Sequence, residues 1–130
     1  MGQDHPLAGR ASLGVADLAG LDLVLMAENN PLRAMVERAF TGAGAPLRPR
    51  LEAVTQRSAA LMALSSGALA LIDEELASEL VRLDAHVRIA VFTATPAWDV
   101  VAVRSRSRPP SLLAEAALAQ LKSAMAEVSA

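Results

Sequence analysis

Between Leu21 and Phe40 the hydrophobic pattern changes period. Leu21 to Ala27 is an unbroken apolar run of strand length, which predicts a strand buried on both faces. The run stops at Glu28-Asn29-Asn30-Pro31. Beyond it the apolar positions are Leu32, Met35, Val36, Ala39 and Phe40, the spacing of a core-facing helical stripe. Asn30 suits the N-cap, Pro31 the first helical position, and Gly42 the stop.

A second cycle follows. "RPRLEAV" (Arg48 to Val54) predicts a strand whose proline belongs at a sheet edge. Thr55 caps a predicted helix to Leu64, closed by Ser65-Ser66-Gly67. "ALALI" (Ala68 to Ile72) predicts another buried strand, and Asp73 caps a helix through Leu80. "VRIAVFTA" (Val87 to Ala94) and "WDVVAVRS" (Trp98 to Ser105) predict two more strands around Pro96. Ser111 caps a last helix with Leu118, Leu121, Met125 and Val128 along one stripe. Upstream, residues 1–14 read as a loop, and "VADLAG" (Val15 to Gly20) as one helical turn ending at a glycine. Strands alternating with helices imply an α/β sheet of about five strands with helices on both sides.

Composition narrows the function classes. At 130 residues the chain is one domain's worth. Hydrophobic residues make up 53% but aromatics only 2%, so the core is aliphatic. No apolar run reaches the roughly 20 residues that span a bilayer, and the first residues lack the basic head and apolar stretch of a signal peptide. The chain has no cysteine, which excludes disulfides, thiolate metal sites and cysteine nucleophiles and fits a cytoplasmic setting. A net charge of −2 gives no overall basic field for nucleic acid. Arg104, Arg106 and Arg108 form the one basic cluster, without interleaved aromatics, and read as a solvated strand edge.

Little points to catalysis. His5 and His86 lie far apart in loop contexts, lack metal-pair spacing, and read as solvent-facing. No nucleophile elbow, phosphate loop or dinucleotide fingerprint is present. Asp73-Glu74-Glu75 place acids at a helix start, where the macrodipole favours them. No enzyme activity, metal or cofactor is therefore expected. The strand exits are more informative. Ligands of open α/β sheets sit beyond the carboxyl ends of strands. Two such exits carry small polar residues at helix starts: Glu28, Asn29 and Asn30, then Thr55 and Gln56. Helix N-terminal N–H groups there suit a polar or anionic ligand, although Glu28 opposes a strongly anionic one.

The order of these pieces resembles the effector-binding domain of LysR-type transcriptional regulators. The resemblance rests on His5-Pro6-Leu7-Ala8, Asp17-Leu18, the Leu21–Ala27 run and the Pro31–Phe40 helix. "LMALSSGALALIDEELA" (Leu61 to Ala77), with Gly67 at its turn, and "WDVVAVRSRSRPPSLLAEAALAQL" (Trp98 to Leu121) continue it. Ile72-Asp73 departs from the family's leucine-proline. The resemblance implies a Rossmann-like, three-layer subdomain of a type 2 periplasmic-binding-protein-like fold. It implies that residues 1–130 form one α/β domain, mainly the family's second subdomain, with 99–130 the strand and helix returning toward the first. It also implies a small polar or anionic effector bound in a cleft at Glu28–Asn30 and Thr55–Gln56, homo-oligomers, and no membrane. DNA contact would come only through a helix-turn-helix, which is not among these residues.

A second resemblance, to a response-regulator receiver, makes Asp73 the phosphoryl acceptor and Thr93 its switch hydroxyl. It conflicts with Glu28-Asn29 at the Mg²⁺-binding acid pair and with Lys122, the chain's one lysine, lying in the last helix. A stand-alone α/β interaction domain is the third alternative.

Overall fold

The computed structural model describes residues 1–94, 101, 103, 105, 107, 109 and 111–128, the side chains of 127 and 128 excepted. The chain divides into two compact units, Met1–Pro96 and Ala97–Ala130.

The first unit is built on three parallel strands. They are β2 (Asp22–Met26), β3 (Arg48–Ala53) and β4 (Leu69–Ala70), in the order β3-β2-β4. The central strand is the apolar run, and Leu23, Val24, Leu25 and Met26 are all buried. The expectation of burial on both faces therefore holds. The edge strand β3 carries Pro49, whose missing N–H costs nothing on an open side. Its register slips between Leu23 and Val24, which pair with Pro49 and Leu51, so Arg50 is the extra residue of a bulge.

A short β1 (Ser12–Leu13) pairs in parallel with β5 (Val91–Phe92) as a separate two-stranded sheet. The sequence pattern puts Ser12 and Leu13 in a loop and gives the last strand of this unit eight residues rather than two. Pairing nearly 80 residues away, not local alternation, makes these strands. The other expected strand, Trp98–Ser105, lies for the most part outside the described residues, as do Arg104, Arg106 and Arg108.

Helices α2 (Pro31–Gly42), α3 (Gln56–Ser66) and α4 (Glu74–Leu83) each follow one parallel strand, and α1 (Val15–Leu18) precedes them. The step from β2 to β3 moves one way across the sheet, and the step from β3 to β4 moves back past β2. Right-handed crossovers then put α2 and α3 on opposite faces. Helix α2 buries Leu32, Val36 and Phe40 at i, i+4 and i+8, as its stripe requires. Helix α3 buries only Ala59, Ala60 and Ala63, and these small residues let it lie close to the sheet. Gly67 ends α3 at φ 70°, a left-handed conformation, and its N–H donates to the Ala63 carbonyl.

The second unit contains α5 (Leu112–Val128). Ser111 begins it as expected, its Oγ accepting from the Ala114 N–H at 3.2 Å.

Candidate functional site

Parallel strands aim their carboxyl ends at one edge, so the exits of β2, β3 and β4 come together. The Ala27 N–H donates to the Ala53 carbonyl at 2.9 Å, one residue past the paired ends Met26 and Ala53. Glu28–Asn30 and Thr55–Gln56 thus leave adjacent strands at the same level. Sequence separation hides this: the two loops are about 26 residues apart in the chain and one strand spacing apart in the sheet. The chain reverses direction across the sheet between β2 and β4, the switch point at which open α/β sheets form a crevice.

Three of the five predicted residues have a structural duty here. Asn30 Oδ1 accepts from the Leu32 N–H at 2.9 Å and caps α2. Thr55 Oγ1 accepts from the Ser58 N–H at 3.1 Å and lies 2.8 Å from the Ser58 hydroxyl. Gln56 Oε1 accepts from the Asp73 N–H at 2.6 Å, joining the β3 exit to the β4 exit. Glu28 and Asn29 are exposed in the turn after β2. Among the described residues these duties leave capacity unused. The amide nitrogens of Asn30 and Gln56 remain as donors, and the Glu28 carboxylate as an acceptor. Within α3, the Gln56 and Arg57 N–H groups come before the first capped one, and no acid lies in the first turn.

Charge differs along the edge. Helix α4 carries Glu74 and Glu75 in its first turn, and Asp73 Oδ1 caps it by accepting from the Leu76 N–H at 2.9 Å. That end of α4 repels an anion. Arg57 Nη2 donates to both carboxylate oxygens of Glu79, at 2.8 and 2.7 Å, fastening α3 to α4. Helix α3 is therefore the end of the three best suited to an acceptor group on a ligand.

Two residues of this edge are not evident in the sequence. Val54 is 83% exposed between Ala53 and Thr55, an apolar surface beside the polar loop. Its place at the end of an otherwise inward-alternating run was the one signal. Arg33 is the buried charged residue among those described, at 6% exposure. Its Nε donates to Glu37 Oε1 at 2.6 Å, and its Nη1 to the Met26 carbonyl at 3.1 Å and to Glu52 Oε1 at 3.0 Å. Burial lowers the pKa of this guanidinium, and the two carboxylates outweigh that and hold it above its ordinary value. No sequence spacing links Arg33 to Glu52.

The histidines do not join the edge. His86 is exposed, as expected, but His5 is half-buried, and its Nδ1 accepts from the Leu7 N–H at 3.1 Å. The turn through Pro6 folds the ring under its own backbone. Burial, and then the positive amino terminus, lower its pKa. Thr93 Oγ1 donates to the Leu13 carbonyl at 3.4 Å, within the β1–β5 pair. Among the described residues no cluster of histidines and carboxylates could hold a metal ion, and no helix is long and apolar enough to cross a membrane.

An apolar cavity of about 110 Å³ lies elsewhere in the first unit, lined by residues such as Leu13, Ala60, Leu64, Ala77, Leu80 and Phe92. None of Glu28, Asn29, Asn30, Thr55 and Gln56 lines it.

A family model described as the LysR substrate binding domain matches residues 1–126. No curated protein and no solved structure gives a match. The chain belongs to the LysR substrate-binding-domain family: it has that family's type 2 periplasmic-binding-protein-like α/β fold, and it is an effector-binding regulatory domain of a LysR-type regulator.

Proposed function

We propose that this domain senses a small polar effector at the carboxyl edge of its parallel sheet, with Glu28, Asn29, Asn30, Thr55 and Gln56 as the binding residues. One observation carries the reading: the two polar loops leave adjacent strands at one level, fastened by the Ala27–Ala53 hydrogen bond. The acid-free start of α3 favours an acceptor group such as a carboxylate or carbonyl, and Glu28 favours a donor such as a hydroxyl or amine. Val54 adds an apolar contact for the ligand's body.

On this reading the domain is regulatory and performs no catalysis. Residues 1–130 supply mainly the second of two subdomains. Effector binding changes subdomain packing and thereby the geometry of DNA-binding arms carried outside this chain. The regulator works in the cytoplasm as a homo-oligomer and needs no cofactor. The test is calorimetric titration of the intact regulator with the small polar compound that induces its target promoter. Saturable binding, weakened by Asn30→Ala and by Gln56→Ala at unchanged fold, supports the reading. Parent-like affinity in both variants removes these residues from the site.

A further inference from the structure

The Arg33 guanidinium stands where the two site loops are rooted. The Ala27 N–H points at β3, so the Met26 carbonyl, on the other side of the same trans peptide, points toward β4. The β4 ladder ends too soon to meet it, because Leu69 and Ala70 pair with Leu23 and Val24. The Met26 carbonyl is thus two residues beyond the end of its ladder, on a residue only 3% exposed. A buried carbonyl in that position needs a donor. Arg33 Nη1 supplies it at 3.1 Å.

The same nitrogen reaches across to Glu52 Oε1 of β3 at 3.0 Å. Met26 lies two residues before Glu28, and Glu52 three before Thr55. The guanidinium's third contact, Glu37 Oε1 at 2.6 Å, fixes its plane from one turn further along α2. A planar fork held on two sides has little freedom to swing. A lysine, with one compact head group, cannot span the carbonyl and both carboxylates at once.

We propose that Arg33 is the positioning residue of the effector edge, yoking the β2 exit to the β3 exit so that Glu28–Asn30 and Thr55–Gln56 face a ligand together. Its functional meaning rests on the effector reading above, but the yoke itself is tested without ligand.

Amide hydrogen exchange followed by NMR on the 130-residue chain reads this directly. The reporters are the Ala27 and Asn30 N–H groups for the first loop and the Ser58 N–H for the second, each bonded within its loop or to its neighbour. The Leu76 N–H, capped by Asp73, is the internal reference. Val36→Ala, a cavity variant on the same helix, is the control at matched global stability. Arg33→Met is expected to speed exchange at Ala27, Asn30 and Ser58 at least tenfold beyond the control, with Leu76 unchanged relative to it. Arg33→Lys keeps one charged nitrogen for the Met26 carbonyl and Glu52 but loses the Glu37 brace, and is expected to fall between the parent and Arg33→Met at all three reporters. If Arg33→Met fails to fold, Glu52→Gln replaces it, with Ser58 exchanging several-fold faster and Asn30 unaffected. Exchange at all three reporters in step with the control, or a Ser58 amide indifferent to Glu52→Gln, overturns the proposal. A chain that shows the expected exchange pattern but binds no effector at this edge would sink the effector reading and leave the yoke standing.

Discussion

Replacing Thr55 separates capping from ligand contact, because its hydroxyl caps α3 and also faces the proposed effector. Thr55 Oγ1 accepts from the Ser58 N–H at 3.1 Å, and that bond is lost in Thr55→Ala. Cap loss of this kind costs about 1 kcal/mol. The accompanying contact with the Ser58 hydroxyl is exposed and adds little. For a body of this size the melting temperature should fall by about 4 °C. A lost neutral hydrogen bond to the effector costs about 0.5–1.5 kcal/mol, so the Kd should rise about 2- to 13-fold. Thr55→Ser keeps the hydroxyl and should match the parent on both counts. Thr55→Asp is the discriminating variant. A carboxylate caps an N-terminus well and gains about 0.3–1 kcal/mol from the macrodipole, so stability should hold or rise. The same negative charge, set where the effector's acceptor group belongs, should weaken binding by more than about tenfold, the equivalent of about 1.4 kcal/mol. Melting curves and calorimetric titration of the intact regulator with its inducer give the two readouts. If Thr55→Asp and Thr55→Ala both bind the inducer like the parent, Thr55 is a cap alone and its contact with the effector is refuted.

Three further outcomes follow from other parts of the molecule. The pKa of His5 is lowered in the fold, so the unfolded chain takes the proton more readily; the His5 contribution to stability should be complete above pH 6.5 and be lost as pH drops below it, and His5→Gln should flatten that part of a urea-midpoint profile. The 110 Å³ apolar cavity has Ala77 on its wall, and Ala77→Leu should fill it and stabilise the chain by about 0.5–2 kcal/mol in urea denaturation, whereas a loss of stability would show that the space is not available to a side chain. Asp73 spends Oδ1 on the α4 cap, so the chain with Mg²⁺ and acetyl phosphate should gain no stable phosphoryl group by intact-mass measurement, and a modification abolished by Asp73→Asn would revive the receiver alternative.

The parallel core was legible because its signals are local. The change of period at Glu28–Pro31 placed both β2 and α2, and the caps Asn30, Thr55 and Asp73 each sit where a short polar side chain met the start of an apolar stripe. What failed to show depends on distant partners. Ser12 and Leu13 become a strand only because Val91 and Phe92 lie beside them. The apolar run Ala68–Ile72 yields just two strand residues, since only Leu69 and Ala70 find partners, in Leu23 and Val24. The candidate site divides in the same way. Its polar loops could be named from helix-start chemistry, but their adjacency comes from strand order. Arg33 reads in the sequence as half of an ordinary i,i+4 pair with Glu37, and only the fold brings Glu52 and the Met26 carbonyl to it.

The most direct test of effector binding at the sheet edge is a two-dimensional amide NMR titration of this chain with the compound that induces the intact regulator. Shift changes should concentrate at residues 27–30 and 54–57, at the exits of β2 and β3. Changes confined to the apolar cavity around Leu13, Leu80 and Phe92, with the strand exits silent, would contradict binding at that edge.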